Sequence, residues 1–134
     1  MALFNLEIVT PLKVAYREQV KMIIVRTVDG DMGILPNHAP LVTALAVGEM
    51  TIRKEDGNQQ YFIAGGFLEI SKDKVVILAD KAVRAEDIDI EEERRKQAIM
   101  EAKAANLQED REIVLLQKEL QEVLMKIQIG EKLI

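Results

Sequence analysis

The sequence predicts an α+β protein, with an all-antiparallel β-sandwich over residues 1–84 followed by an antiparallel two-helix hairpin over residues 85–134. The first part consists of short apolar runs separated by turn residues, which is typical of all-β domains. In the second part the apolar spacing changes to i, i+3/i+4, which indicates amphipathic helices. The composition changes at the same place, because all three prolines and six of the seven glycines precede residue 85. We therefore predict two domains that meet there.

Seven segments are predicted as strands, each closed by a turn signal. They are Leu3–Thr10, Val20–Val28, Leu41–Val47, Met50–Lys54, Gln60–Ala64, Phe67–Ile70 and Val75–Ala79. The sequence Asp56-Gly57-Asn58 predicts a hairpin turn. Gly65-Gly66 indicates a bulge or a close approach of two backbones, because no helix start and no Lys-Ser/Thr pair follows, as a phosphate loop requires.

The segment 29–42 is unusually rich in residues that restrict or bend the backbone. These residues are Gly30, Gly33, Pro36, Asn37 and Pro40. The glycines and the asparagine suit positive φ, and proline fixes φ near −65°. We predict a rigid turn at the rim of the sandwich that presents a docking surface. It carries His38, the only histidine, for which we expect a surface or interface role rather than catalysis or metal binding.

The first predicted helix begins after Arg84, with Asp87 and Asp89 as alternative N-caps. Asp89 and Glu92 have the spacing of a capping box. A thin apolar stripe follows, formed by Ile88, Ile99, Ala102, Ala104 and Ala105. Asn106 or its polar neighbours allow a turn. We interpret the acidic residues at 86–93 as a capped, solvated helix start rather than a cation site.

The second helix has a clearer apolar face, which predicts the seam of the hairpin. Its residues are Ile113, Leu116, Leu120, Leu124 (with Val123 beside it) and Ile127, and Gly130 is the predicted C-terminal stop. An alanine-rich first helix buries little apolar area per turn. We therefore expect a hairpin of marginal stability that can open.

Charge and composition exclude several classes of protein. Residues 1–84 contain ten basic and ten acidic side chains, whereas residues 85–134 contain eight against thirteen, which accounts for the net charge of −5. An acidic chain with few aromatic residues is not expected to bind nucleic acid. The absence of cysteine excludes disulfides and thiolate metal sites. We expect no signal peptide, no presequence and no membrane span.

Two motifs resemble a known family. The stretch Gly30-Asp31-Met32-Gly33-Ile34-Leu35-Pro36-Asn37-His38-Ala39-Pro40-Leu41 and the motif Gly65-Gly66-Phe67-Leu68-Glu69 are similar to the epsilon subunit of F-type ATP synthase, called delta in mitochondria. Val9-Thr10-Pro11, Leu78-Ala79-Asp80 and the junction 84–89 match at the expected places. The resemblance covers essentially all 134 residues.

The resemblance implies a non-catalytic rotor subunit of the central stalk. Its implied partners are the gamma subunit, the ring of c subunits and, through the C-terminal helices, the alpha/beta catalytic head. It would couple ion flow through the ring to ATP synthesis, and its helices would restrain ATP hydrolysis; the ring sets whether the ion is a proton or sodium. By position, Asp31 belongs to the ring-facing region and His38 to the docking edge. The implied location is the cytoplasmic face of a bacterial plasma membrane, or a plastid thylakoid, with membrane contact only through the complex.

A nucleotide site occurs in some bacterial relatives where Ile88 and Asp89 stand here. Glu92 replaces the arginine of that pattern, so we expect no cofactor and no ATP binding by this subunit. The alternative function is a small-molecule or nucleotide-binding β-module closed by a helical lid. An enzyme active in isolation is rejected, because the sequence has no nucleophile–base pair, metal set or phosphate loop.

Overall fold

The computed structural model describes residues 2–106 and 109–133. The chain divides into two compact units, Met1–Arg84 and Ala85–Ile134. The first contains eight strands: β1 (Phe4–Val9), β2 (Val14–Val20), β3 (Met22–Thr27), β4 (Gly30–Ile34), β5 (Leu41–Ala44), β6 (Gly48–Lys54), β7 (Gly57–Ser71) and β8 (Lys74–Arg84). The second contains a 3-10 turn (Ala85–Asp87) and the helices α1 (Ile90–Ala104) and α2 (Asp110–Glu131).

The strands form one hydrogen-bonded sheet that folds on itself into a β-sandwich. Its order is β2-β1-β8-β7-β6-β3-β4, and β5 also pairs with β7. The first half of β7 pairs with β6, whereas its second half pairs with β5. The core-facing side chains of β7 change from odd to even positions, from Tyr61 and Ile63 to Leu68 and Ile70, across the glycine pair. The long strands β7 and β8 therefore belong to both layers.

The predicted sandwich is confirmed, but the all-antiparallel pairing is wrong in one place. Strands β1 and β8 run parallel, with Leu6 opposite Val75 and Ile8 opposite Ile77. A tight hairpin forces its two strands to be antiparallel, and no hairpin joins these two. Six intervening strands separate them along the chain, so the connection allows either a parallel or an antiparallel pairing.

The glycine pair lies inside one continuous strand rather than between two. The predicted segments 60–64 and 67–70 are both parts of β7. The close backbone approach is confirmed, because a Cβ on Gly66 would overlap the carbonyl oxygen of Leu78 on β8. Gly66 also has φ of 104°, which disfavours any other residue.

Two strands were missed by the prediction. Strand β2 exposes most of its side chains and buries only Tyr16 and Val20, so its apolar pattern is weak. Strand β4 begins inside the segment predicted as a turn and contains two glycines. Glycine-rich strands are tolerated at sheet edges, and β4 is the last strand in the sheet order.

The remainder of the turn segment, residues 35–40, connects β4 to β5. Gly30 and Asn37 have positive φ, of 117° and 66°, as predicted. Gly33 does not, because it lies in β4 against Met22 of β3. A Cβ on Gly33 would come within 2.9 Å of the Met22 methyl group, which is the far end of a flexible side chain and can move aside.

The helical unit is an antiparallel hairpin, as predicted. Asp89 is the N-cap of α1, and its carboxylate accepts a hydrogen bond of 3.1 Å from the Glu92 amide. Arg94 near the start of α1 pairs with Glu131 at the end of α2, at 2.7 Å. The start of one helix thus lies beside the end of the other.

The seam of α2 differs from the prediction at one position. Ile113, Leu116 and Leu120 are half-buried and Ile127 is buried. Leu124, however, is 43% exposed, and Val123 is buried in its place at 5%. Each step of four residues rotates the stripe by about 40° around the helix, so a step of three is needed after Leu120 to keep facing the same way.

The predicted stripe of α1 is wrong except at Ile88, which is half-buried, and α2 ends one residue after Gly130. Ile99 and the alanines at 102, 104 and 105 are exposed. The more buried face of the helix is formed instead by Ile90, Glu93, Gln97 and Met100. Gly130 lies in the last turn of α2, which ends at Glu131, and a Cβ there would come within 2.7 Å of the Ile90 side chain, so the glycine also marks a close helix contact.

Candidate functional site

An apolar row crosses the outer face of the layer that contains β5, the second half of β7, the start of β8, β1 and β2. The row is formed by Ala44, Phe67, Leu78 and Val9, which are cross-strand neighbours, and Val14 extends it onto β2. Side chains alternate between the two faces of a strand. Leu68 and Ile77 therefore point into the core and are fully buried, while Phe67 and Leu78 are 56% and 48% exposed.

A groove of about 340 Å³ lies along this apolar row. It is lined by Val9, Thr10, Pro11, Gly66, Phe67, Leu78, Ala79 and Asp80. Its floor is apolar, and the carboxylate of Asp80 is the charged group of the lining. Soluble proteins rarely expose large contiguous apolar surfaces without an interaction to cover them. The apolar row therefore has the character of a docking surface.

Charged side chains border the apolar row on the same face. The carboxylate of Glu7 on β1 pairs with Arg17 of β2 at 2.9 Å and with Lys74 of β8 at 3.4 Å. Burial raises the pKa of the Glu7 carboxyl, but the ion pairs with Lys74 and Arg17 outweigh this, so its pKa lies below the ordinary value. The ion pairs of Glu7 therefore connect strand β1 to β2 and to β8.

Asp31 and His38 lie at different ends of strand β4. Asp31 follows the β3–β4 turn and pairs with Arg26 across the hairpin at 3.1 Å. His38 follows the other end of β4; its Nδ1 lies 2.8 Å from the carbonyl oxygen of Ala39. It lines a groove of about 350 Å³ together with Lys72. The strand between the two residues is about 10 Å long, so they form two separate sites.

The positions named for a nucleotide site serve the structure of the helical unit. The Asp89 carboxylate caps α1, and the Ile88 side chain lies against Gly130. Lys126, the basic residue facing α1, is paired with Glu93. Within residues 2–106 and 109–133 no group of three or more metal-ligating side chains occurs, and no helix is long and apolar enough to span a bilayer.

The apolar row was not found by sequence reasoning. A signal was present in the alternation of each strand. Phe67 directly precedes the buried Leu68, and Leu78 directly follows the buried Ile77, so both side chains are expected on the outer face. Only the strand register places these two residues opposite each other and next to Val9. Pairings between distant strands are not encoded in any local pattern.

Comparison with known proteins agrees with this architecture. The family model of the ATP synthase delta/epsilon chain β-sandwich domain matches residues 3–85. The sodium ion specific ATP synthase epsilon chain of Propionigenium modestum is 48% identical over 98% of this chain and 96% of its own length. The ATP synthase epsilon chain of Nitratidesulfovibrio vulgaris is 37% identical over 93% of each chain.

A solved structure extends the similarity to the fold of the whole chain. It is the cryo-EM structure of the Euglena gracilis mitochondrial ATP synthase, comprising OSCP, F1 and c-ring. A chain in it is 28% identical, with a TM-score of 0.72, over 99% of this protein and 80% of that chain. Our chain thus belongs to the ATP synthase epsilon family of non-catalytic central-stalk subunits.

Proposed function

We propose that this subunit couples rotation of the membrane ring to ATP synthesis by docking its β-sandwich on the gamma subunit and on the ring of c subunits. The observation that carries the proposal is the exposed apolar row of the β-sandwich. Relatives similar over nearly the full chain are named as ATP synthase epsilon chains, and the Euglena gracilis structure contains F1 and a c-ring. Both support an assembly role.

The apolar row is proposed as the gamma-docking surface. Phe67 is its largest side chain, and buried aromatic anchors commonly provide most of the energy of an interface. The Glu7 network and Asp80 border the row with charges that would fix the orientation of the partner. Asp31 and His38 are kept as candidates for contacts with the ring, and their separation means that each must be tested alone.

The C-terminal helices are proposed to act on the alpha/beta catalytic head and restrain ATP hydrolysis. Apolar side chains are exposed at the end of the hairpin away from Gly130, namely Ile99, Val114 and Leu115. Because these side chains are not buried between the helices, pairing of the helices at this end contributes little stabilising free energy. Another subunit could therefore cover this end at a low cost to the hairpin.

The same assignment accounts for cofactor and location. We propose that the subunit binds no ATP, because Asp89 is used as a cap and Lys126 already has a carboxylate partner. The subunit would be peripheral, held through the ring at the cytoplasmic face of a bacterial membrane. The alternative, a nucleotide-binding module with a helical lid, predicts measurable heat of ATP binding to the purified chain.

The docking proposal is tested by measuring affinity for purified gamma subunit. Phe67→Asp is expected to weaken binding at least about tenfold, because a buried aromatic anchor is replaced by a charge. Asn58→Asp is the control, since Asn58 is exposed beside the β6–β7 turn and lies outside both the apolar row and segment 29–42. Equal affinities of the two variants would contradict the assignment of this surface.

A further inference from the structure

A carboxylate lies in the seam between the two helices of the hairpin. Glu93 is 6% exposed and is the buried residue of α1. It occupies the helix face that also contains Ile90, Gln97 and Met100. A seam position of this kind ordinarily holds an apolar side chain, because burying a charge is costly unless it is paired.

Two lysines approach this carboxylate. Lys126 of α2 lies 3.7 Å from Glu93 Oε1, and Lys96, one turn further along α1, lies 3.4 Å from the same oxygen. The side chains of Glu93 and Lys126 are 8% and 19% exposed, so water weakens their attraction much less than at the surface. The other oxygen, Glu93 Oε2, is buried without a hydrogen-bond partner in the described part of the chain.

The pair with Lys126 connects the two helices, whereas the pair with Lys96 stays within α1. If α2 moves away, Glu93 loses its interhelical cation. The close contact of Ile90 with Gly130 also opposes this movement, but Glu93 and Gln97 leave the face of α1 toward the seam half polar. A second interhelical pair, Arg94 with Glu131, is shorter but is about half exposed on both sides. Exposed pairs of that kind contribute little.

We propose that Glu93 and Lys126 form an electrostatic latch that keeps the start of α1 and the end of α2 together. The latch determines how often the hairpin opens at this end. It is a property of the chain itself and does not depend on the docking function proposed above. The alanine-rich remainder of α1 adds little to its effect, since those residues are exposed.

The latch is tested by measuring the distance between the helices in the full-length chain. The protein has no cysteine, so spin labels on Arg95→Cys and Gln128→Cys, both exposed positions, report the distance without background. Glu93→Gln or Lys126→Gln is expected to lower the closed-to-open ratio about five- to twentyfold, between the effects of exposed and fully buried pairs. Glu131→Gln, which removes the exposed pair, is the control and is expected to change it less than about threefold.

A double-mutant cycle isolates the pair from the other interactions of each side chain. The variant with both substitutions, Glu93→Gln and Lys126→Gln, is expected to be no more open than the worse single variant. If Glu93→Gln loses helix content, the measurement on Lys126→Gln decides alone. Additive effects in the cycle, or a Lys126→Gln hairpin as closed as the Glu131→Gln control, would overturn the proposal.

Discussion

Replacing Gly66 with alanine is expected to destabilise the β-sandwich by about 2–5 kcal/mol. Two costs contribute. A residue other than glycine at φ of 104° costs about 1–3 kcal/mol. The new Cβ also overlaps the carbonyl oxygen of Leu78 and would come within 2.9 Å of the Ala79 Cα, and both are backbone atoms. Relieving the overlap separates β7 from β8 and weakens one or two ladder hydrogen bonds, each worth about 1 kcal/mol.

Gly30→Ala is the matched control for this experiment. Gly30 has a similar φ of 117°, but a Cβ there meets nothing within 4 Å. Its cost is therefore the conformational term alone, about 1–3 kcal/mol. Urea unfolding of the full chain measures both, and Gly66→Ala should lower the midpoint by about 1 M or more. A Gly66→Ala variant no less stable than Gly30→Ala would refute the close-approach argument.

Three further predictions concern single side chains. Gly130→Ala should destabilise the hairpin by about 1–2 kcal/mol, because the overlap of its Cβ with the β-branched Ile90 side chain outweighs the gain in helix propensity; an unchanged midpoint of thermal unfolding would contradict this. Asp89→Ala should cost about 1 kcal/mol by removing the N-cap of α1, seen as reduced helicity by circular dichroism, whereas Asp89→Asn should cost much less. Glu7 has a lowered pKa in the folded state, so its stabilising contribution is present above the unfolded-state pKa near 4.5 and is lost as the pH falls through the folded value. Glu7→Gln should therefore show a smaller loss of stability on acidification than the wild type, and parallel curves would refute the ion-pair explanation.

The sandwich was predictable because its turns and alternating strands are local signals. Pro11, Asp29-Gly30 and Asp56-Gly57 mark strand ends that the structure confirms. The parallel pairing of β1 with β8 was not predictable, since it depends on contacts between the two ends of the domain. Strand β2 was missed because only Tyr16 and Val20 among its residues are buried.

The helices show the same division between local and non-local information. The cap at Asp89 follows from spacing alone, and it was predicted as one of two alternatives. The buried face of α1 was not predicted, because a periodic pattern of apolar residues cannot reveal a seam that contains Glu93. Gly130 was assigned to a helix end since glycine commonly stands there, yet its neighbour Ile90 lies 40 residues earlier in the sequence.

The candidate site was predictable only as a region. Segment 30–41 and the Gly-Gly-Phe-Leu-Glu motif identified the family, and both lie in the β-sandwich. The apolar row itself depends on the register that aligns Phe67 with Leu78 and Ala44. Asp31 and His38 are close in sequence, but a strand separates them.

The most direct test of the proposed function is ATP synthesis by an ATP synthase depleted of this subunit and reconstituted in liposomes. The intact chain should restore ion-driven synthesis, and Phe67→Asp should fail to do so at concentrations where Asn58→Asp succeeds. The chain ending at Ala85 should restore synthesis while allowing faster ATP hydrolysis, since it lacks the helices. If Phe67→Asp restores synthesis as well as the intact chain does, the apolar row is not the coupling surface and the account is wrong.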